Sequence, residues 1–175
     1  MSATETTTDE TWRGKVGKLD AAETAAFLAG GLVARLACLD AEGWPYVVPT
    51  WYQYQQEHED AAGGFWIIPR QRSAWAAHLE RDGRVSLAID EPAAPYRKVL
   101  VKGVAELVER PNVGGRWVGI ANEMSYRYLG EHGPDYLVPT LNEPRWLFFV
   151  RPVTMTTWQG VDWAKKYKTA GDGSA

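Results

Sequence analysis

The chain has 175 residues, 45% of them hydrophobic and 23% charged, with a formal net charge of −3. That length and composition suit one soluble domain with its own core, and the acidic balance removes any global electrostatic reason to bind nucleic acid. A single cysteine, Cys38, excludes a disulfide framework or a cysteine-based zinc site within one chain. No apolar run is long enough to span a bilayer and the N-terminus has no apolar signal core, so a reducing cytoplasm is the expected setting.

Residues 1–18, opening "MSATETTTDET", are polar and aperiodic and read as a disordered leader, as does the tail 169–175. The domain proper is expected over 19–168. It opens with a helix over "DAAETAAFLAGG", in which Asp20 and Glu23 have capping-box spacing and Gly30 and Gly31 supply the stop. "LVARLACLDAEGWPYVVPTWYQYQ" follows as a hairpin turning at "DAEG", with Gly43 placed for positive φ. Pro49 within the return strand cannot donate a ladder hydrogen bond, which implies an edge, a bulge or a place where something else meets the backbone. "FWIIP" is a short buried strand. "SAWAAHLERDG" is a short helix with Ser73 as N-cap, and "RVSLAID" and "RKVLVKGVAELVE" are two more strands. Helical spacing returns at Trp117, Ile120, Ala121, Met124 and Tyr128, within 111–130. "RWLFFVRPVTMTTW" closes the domain as a strand interrupted at Pro152. Antiparallel connections dominate, so a mainly β (α+β) fold is expected, a β-barrel with peripheral helices rather than a parallel βαβ sheet.

No dinucleotide fingerprint, phosphate-binding P-loop or nucleophile elbow occurs. His58, His78 and His132 are far apart, and "HED" at 58–60 lacks a second histidine at helical spacing, so no metal site is expected. Cys38 sits in apolar company and reads as a buried thiol. Catalytic residues are therefore unassigned, and any reaction would be carried by a bound cofactor. "WQGVDWAKKYK" joins aromatic and basic residues, but the acidic balance of the chain argues against a nucleic-acid site there.

"LVARLACLDAEGWPYVVPTWYQY", then "FWIIPRQRSAWAAHLERDGRVSLAID", then "PYRKVLVKGVAELVE" resembles, in this linear order, the pyridoxamine 5′-phosphate oxidase-like family of flavin-binding split barrels. The resemblance runs from about Asp20 to Trp158. It implies a six-stranded antiparallel split β-barrel, a homodimer with flavin sites at its interface, FMN or the deazaflavin F420 as cofactor, and a small-molecule substrate. It would place the isoalloxazine ring beside the backbone of Val48, Pro49, Thr50 and Trp51. The phosphate would lie at "RQRSAW", where Arg70, Arg72 and Ser73 precede a helix N-terminus able to hold an anion. Trp75 reads as core packing or as an aromatic wall. Lys102, on the same strand face as Lys98, reads as a solvent-facing residue or as part of a second charged patch near the cofactor.

One departure stands out. Many relatives read like "RSRKARNL" where this chain has "RSAWAAHL". Arg72 and Ser73 match, but Ala74, Trp75 and Ala77 stand where relatives carry positive charge. The leading expectation is an FMN-dependent oxidoreductase. Beside it stand an F420-dependent reductase, with Lys98, Lys102, Lys165 and Lys166 as contributors, and a non-catalytic barrel carrying a fatty acid, a tetrapyrrole or no ligand.

Overall fold

The computed structural model describes residues 14–57 and 62–162. Most of the expected leader, the tail, the "HED" loop and Lys165 and Lys166 lie outside the described residues. Residues 14–18, the end of that expected leader, run beside the end of the last strand, where Gly17 and Gln159 exchange backbone hydrogen bonds of 3.0 and 2.8 Å.

Helix α1 (Ala21–Leu28) begins at a complete capping box, with Asp20 and Glu23 each accepting from the other's backbone N–H. Strands β1 (Ala34–Leu39) and β2 (Pro45–Thr50) form the expected hairpin. Its turn closes through Asp40, whose carboxylate accepts from the N–H groups of Glu42 and Trp44, while Gly43 takes a φ of 86° that a side chain would oppose. Then come β3 (Gln53–Gln55), β4 (Gly64–Ile67), α2 (Ala74–Arg81), β5 (Arg84–Asp90) and the long β6 (Lys98–Asn112). After it lie α3 (Trp117–Leu129), a 3-10 turn, the short α4 (Gly133–Leu137), a second 3-10 turn and β7 (Arg145–Trp158). The segment from 131 to 144 carries no sequence expectation of its own. It folds back onto α3 because Gly133 packs where any side chain would collide with the Ser125 backbone, a Cβ there lying 2.6 Å from its carbonyl carbon.

All pairings are antiparallel, in one sheet of order β2-β1-β5-β6-β7-β4-β3. The mainly β antiparallel architecture is as expected, while in place of a six-stranded split barrel the structure has one sheet of seven strands whose ladder does not close. The reason is local. The expected return strand breaks at Trp51 and Tyr52, and its two parts pair with opposite edges of the sheet: β2 with β1, β3 with β4. Two intervening residues reach only about 10 Å, so the sheet must curl until its edges nearly meet. Pro49 sits on the edge strand β2, where its missing N–H removes no interior bond.

Alternation decides which side faces the core. On β6, Val99, Val101 and Ala105 are buried while Lys98, Lys102 and Glu106 point out. Inside the curl lie Leu36, Phe65, Ile67, Leu87, Ile89 and Phe148, with Tyr52 at its open seam. The first half of β7 is buried on both faces. Phe148 and Val150 enter this main core, whereas Leu147 joins Trp117, Ala121 and Leu137 in a second cluster beneath α3. The strand continues through Pro152 as a bulge, with a register shift opposite Lys102 and Gly103. No helix among the described residues is long and apolar enough to cross a membrane.

Candidate functional site

The break between β2 and β3 is the origin of the site. A strand that stops pairing leaves backbone groups that must find partners elsewhere. Tyr52 N–H donates to the Tyr128 hydroxyl at 3.2 Å, and the Tyr52 carbonyl accepts from the Arg127 guanidinium. The Tyr128 hydroxyl in turn donates to the Leu32 carbonyl at 3.0 Å. The end of α3 therefore pins the open seam of the sheet. The Tyr52 ring turns inward, fully buried, and its hydroxyl donates to the Leu28 carbonyl; burial pushes its phenol well above the ordinary tyrosine range. Trp51 turns the other way. It stacks on Tyr128 with centroids 4.7 Å apart and planes 1° from parallel, and meets Tyr136 of α4 at 5.3 Å.

Beside Trp51 opens a cleft of about 480 Å³, within the size range of cofactor sites. Its walls are Val33, Pro49, Thr50 and Trp51 at the seam, Ile68 and Pro69 after β4, Trp75 on α2, and Ala121, Met124 and Leu137 on the α3–α4 side. Its polar groups are Arg70, Ser73, Ser125, Tyr136 and Arg145. Ser73 holds the N-cap position of α2 with extended backbone, yet its side chain makes no capping bond. The structure thus leaves that hydroxyl uncommitted at a helix N-terminus.

The two cleft arginines are set by one piece of backbone. Arg70 and Arg145 form an isolated antiparallel bridge, flanked by Trp146 N–H to the Pro69 carbonyl and Gln71 N–H to the Pro144 carbonyl, each 3.0 Å. Arg70 is exposed, with no side-chain hydrogen bond or ion pair among the described residues. Arg145 is 7% exposed. Its guanidinium lies 5.2 Å from the Trp117 ring centroid and donates to the Thr140 hydroxyl at 2.5 Å, while its Nε–H has no partner. Burial pulls this guanidinium below its ordinary pKa and the like charge of Arg70 adds to the effect. A buried donor without a partner costs about 1–3 kcal/mol. An apolar-walled cleft with two cations at one end suits a flat apolar body carrying an anionic group.

Of the residues singled out from the sequence, Pro49, Thr50, Trp51, Arg70, Ser73 and Trp75 meet at this cleft although they come from two separate stretches. Trp75 is buried in the main core, as core packing requires, and it also lines the cleft. Val48 packs instead against the core. Arg72 is exposed beside the cleft and does not line it. Lys102 stands on the outer sheet face, lining a separate groove of about 420 Å³ with Ala37, Pro45, Ser86, Val104 and Val153.

Sequence reasoning missed Arg145, Tyr136 and the α3 contribution. A signal for Arg145 did exist: an arginine opens "RWLFFV", a run buried at every position, where a charge is retained only with a partner or a purpose. Other polar candidates stay outside the cleft. Cys38 is buried, its thiol pKa raised by desolvation. His78 meets the Tyr46 ring edge-on, and exposed His132 lies 3.4 Å from Asp135.

A curled antiparallel sheet with a cleft at its strand break, walled by an appended helical pair, defines the class of protein. The chain belongs to the pyridoxamine 5′-phosphate oxidase family, whose model matches residues 21–158. Among solved structures, the chain is similar to an FAD-binding protein from Mesorhizobium loti, with TM-score 0.58 and 20% identity over 85% of this chain and 98% of that one. The heme storage protein HutZ from Vibrio cholerae gives 0.57 and 22%, covering 79% and 94%. An F420 reductase gives 0.55 and 20%, covering 74% and 93%. At these identities the likeness is one of fold. A search of curated proteins returns no match.

Proposed function

We propose that the chain is a flavin-dependent oxidoreductase that binds FMN at a homodimer interface in the cytoplasm and acts on a small molecule. One observation carries the reading: the strand-end residues Pro49, Thr50 and Trp51 and the turn residues Arg70 and Ser73, about twenty positions apart, line a single cleft of cofactor size. In this reading the ring lies along the backbone of Val48 to Trp51, with Trp75 as a wall. The phosphate meets Arg70 and Ser73, with Arg72 adding charge from the rim. When bound, the flavin supplies hydride transfer at its N5 position. The chain's own residues bind and orient it, and the α3–α4 pair shields it from water on one side.

The homodimer reading is supported by the outer sheet face. Val47, Leu100, Val104 and Val153 are exposed there at 62, 45, 41 and 71%, apolar side chains that a second copy would cover. Lys102 stands on this face, which in this reading brings it to a cofactor shared between two copies.

A second reading, an F420-dependent reductase, is favoured by the likeness to an F420 reductase. Lys98 and Lys102, both exposed on one strand face, would then attract a longer anionic tail. The visible spectrum of the purified protein, followed by titration with each cofactor, separates the two. A flavin band is expected, and a band at shorter wavelength would favour F420. A colourless protein that binds neither in titration would overturn both and leave a non-catalytic binding protein.

A further inference from the structure

We propose that Arg145, at the head of β7, is the inner anion contact of the cleft, its free guanidinium edge receiving the phosphate of the bound molecule while Arg70 and Ser73 meet that phosphate from the rim. The inference rests on reading the cleft as the cofactor site, and it adds a residue from a part of the chain far from the turn. Three observations support it. Arg145 lines the cleft yet is 7% exposed. Stacking on Trp117 and the bond to Thr140 hold the guanidinium, whose buried Nε–H has no partner among the described residues. It forms no ion pair with a carboxylate among the described residues; Tyr136 and Glu143 act on it electrostatically without bonding to it, and the like charge of Arg70 opposes it.

A structural arginine would be expected to find a carboxylate or to fill its donors with carbonyls. Arg127, a half-buried arginine whose Nε likewise has no partner among the described residues, does bond a carbonyl and does not line the cleft. The backbone bridge between positions 70 and 145 holds the two cleft cations together against their repulsion, an arrangement that a shared anion would relieve. Positive charge absent from the Trp75 position is thereby supplied across the sheet, from β7.

The test compares FMN with riboflavin, which has the same ring without the phosphate, by calorimetric titration of the full chain. Arg145→Met is expected to weaken FMN by about tenfold or more, as loss of a charge-assisted bond implies, and to leave riboflavin affinity unchanged. Equal weakening of both ligands would show a structural role, and unchanged FMN affinity would remove Arg145 from the phosphate site; either result overturns the proposal while leaving the flavin reading standing. Pyrophosphate alone, followed by tryptophan fluorescence, separates the two claims. If the unaltered protein binds neither flavin nor F420 but responds to pyrophosphate through Arg145, the cofactor reading falls and the anion site stands. No response to pyrophosphate in a protein that binds no cofactor overturns both. Should Arg145→Met not fold, Arg70→Met, altered at an exposed position, decides. Its remaining preference for FMN over riboflavin must still exceed about tenfold, and a complete loss of preference would place all the anion binding on the rim.

Discussion

Two sets of arginines in this molecule are treated differently. Away from the cleft, Arg35, Arg84, Arg97, Arg110 and Arg151 each meet a carboxylate (Asp90, Asp82, Glu91, Glu80 and Glu106), Arg81 and Arg127 bond backbone carbonyls, and the exposed Arg72 and Arg116 form no ion pair among the described residues. At the cleft, Arg70 and Arg145 meet none among the described residues, and the more buried of the two keeps an open donor. Paired surface arginines are close to neutral for stability, whereas an unsatisfied buried one opposes folding. What sets Arg145 apart is burial without a carboxylate: its charge does not itself stabilise the fold, and a bound anion would offset its cost.

The hardest way to break this contrast is to remove what holds Arg145 in place. Trp117 is fully buried beneath its guanidinium, so Trp117→Ala is expected to lower unfolding free energy by about 3–5 kcal/mol. Denaturant midpoints measure it, and a loss below about 1 kcal/mol would show that the second core cluster is not a support. Next in size, Arg70→Ala is expected to leave stability within about 0.5 kcal/mol while weakening FMN by roughly tenfold, read by titration and thermal melting on the same preparation. On the paired side the effects shrink. Arg110→Ala removes an exposed ion pair with Glu80 and should shift stability by no more than about 1 kcal/mol, with FMN affinity unchanged. A large fall in FMN affinity there would erase the contrast.

The smallest effect concerns acid. A hydrogen bond from the Arg84 side chain holds the Asp82 carboxyl down at about 2, against an ordinary value of 3.8. A carboxyl lowered by folding adds stability that is present above its unfolded value and is lost as pH falls through the folded one. Asp82→Asn should therefore lower stability slightly at neutral pH and flatten the acid limb between 3.8 and about 2, converging with the unaltered protein below that window, with a smaller difference in high salt because the pair is exposed. Melting curves through that window check it.

Much of the fold was legible because each element carries its own punctuation. Asp20 with Glu23, the "DAEG" turn and the alternation on β6 are local signals, and local signals survive folding. The strand break was harder to read. "VVPTWYQYQ" has continuous β character, and nothing in it says that Trp51 and Tyr52 leave the ladder; that is set by Arg127 and Tyr128, about seventy-five positions later. Half the cleft was hidden for the same reason. Ser73 and Arg70 stand together in one short turn of the sequence, whereas Arg145 reaches them through a backbone bridge from β7. Sequence showed the charge missing at Trp75, and only the sheet showed where another charge lies.

The most direct measurement of the central claim is the ratio of FMN to riboflavin affinity in the unaltered protein. With Arg70 and Arg145 both facing one phosphate, FMN should bind at least about a hundredfold more tightly, as two charge-assisted bonds imply. Equal affinity for the two would contradict the account, because the unpaired arginines of the cleft would then be contributing nothing to what it binds.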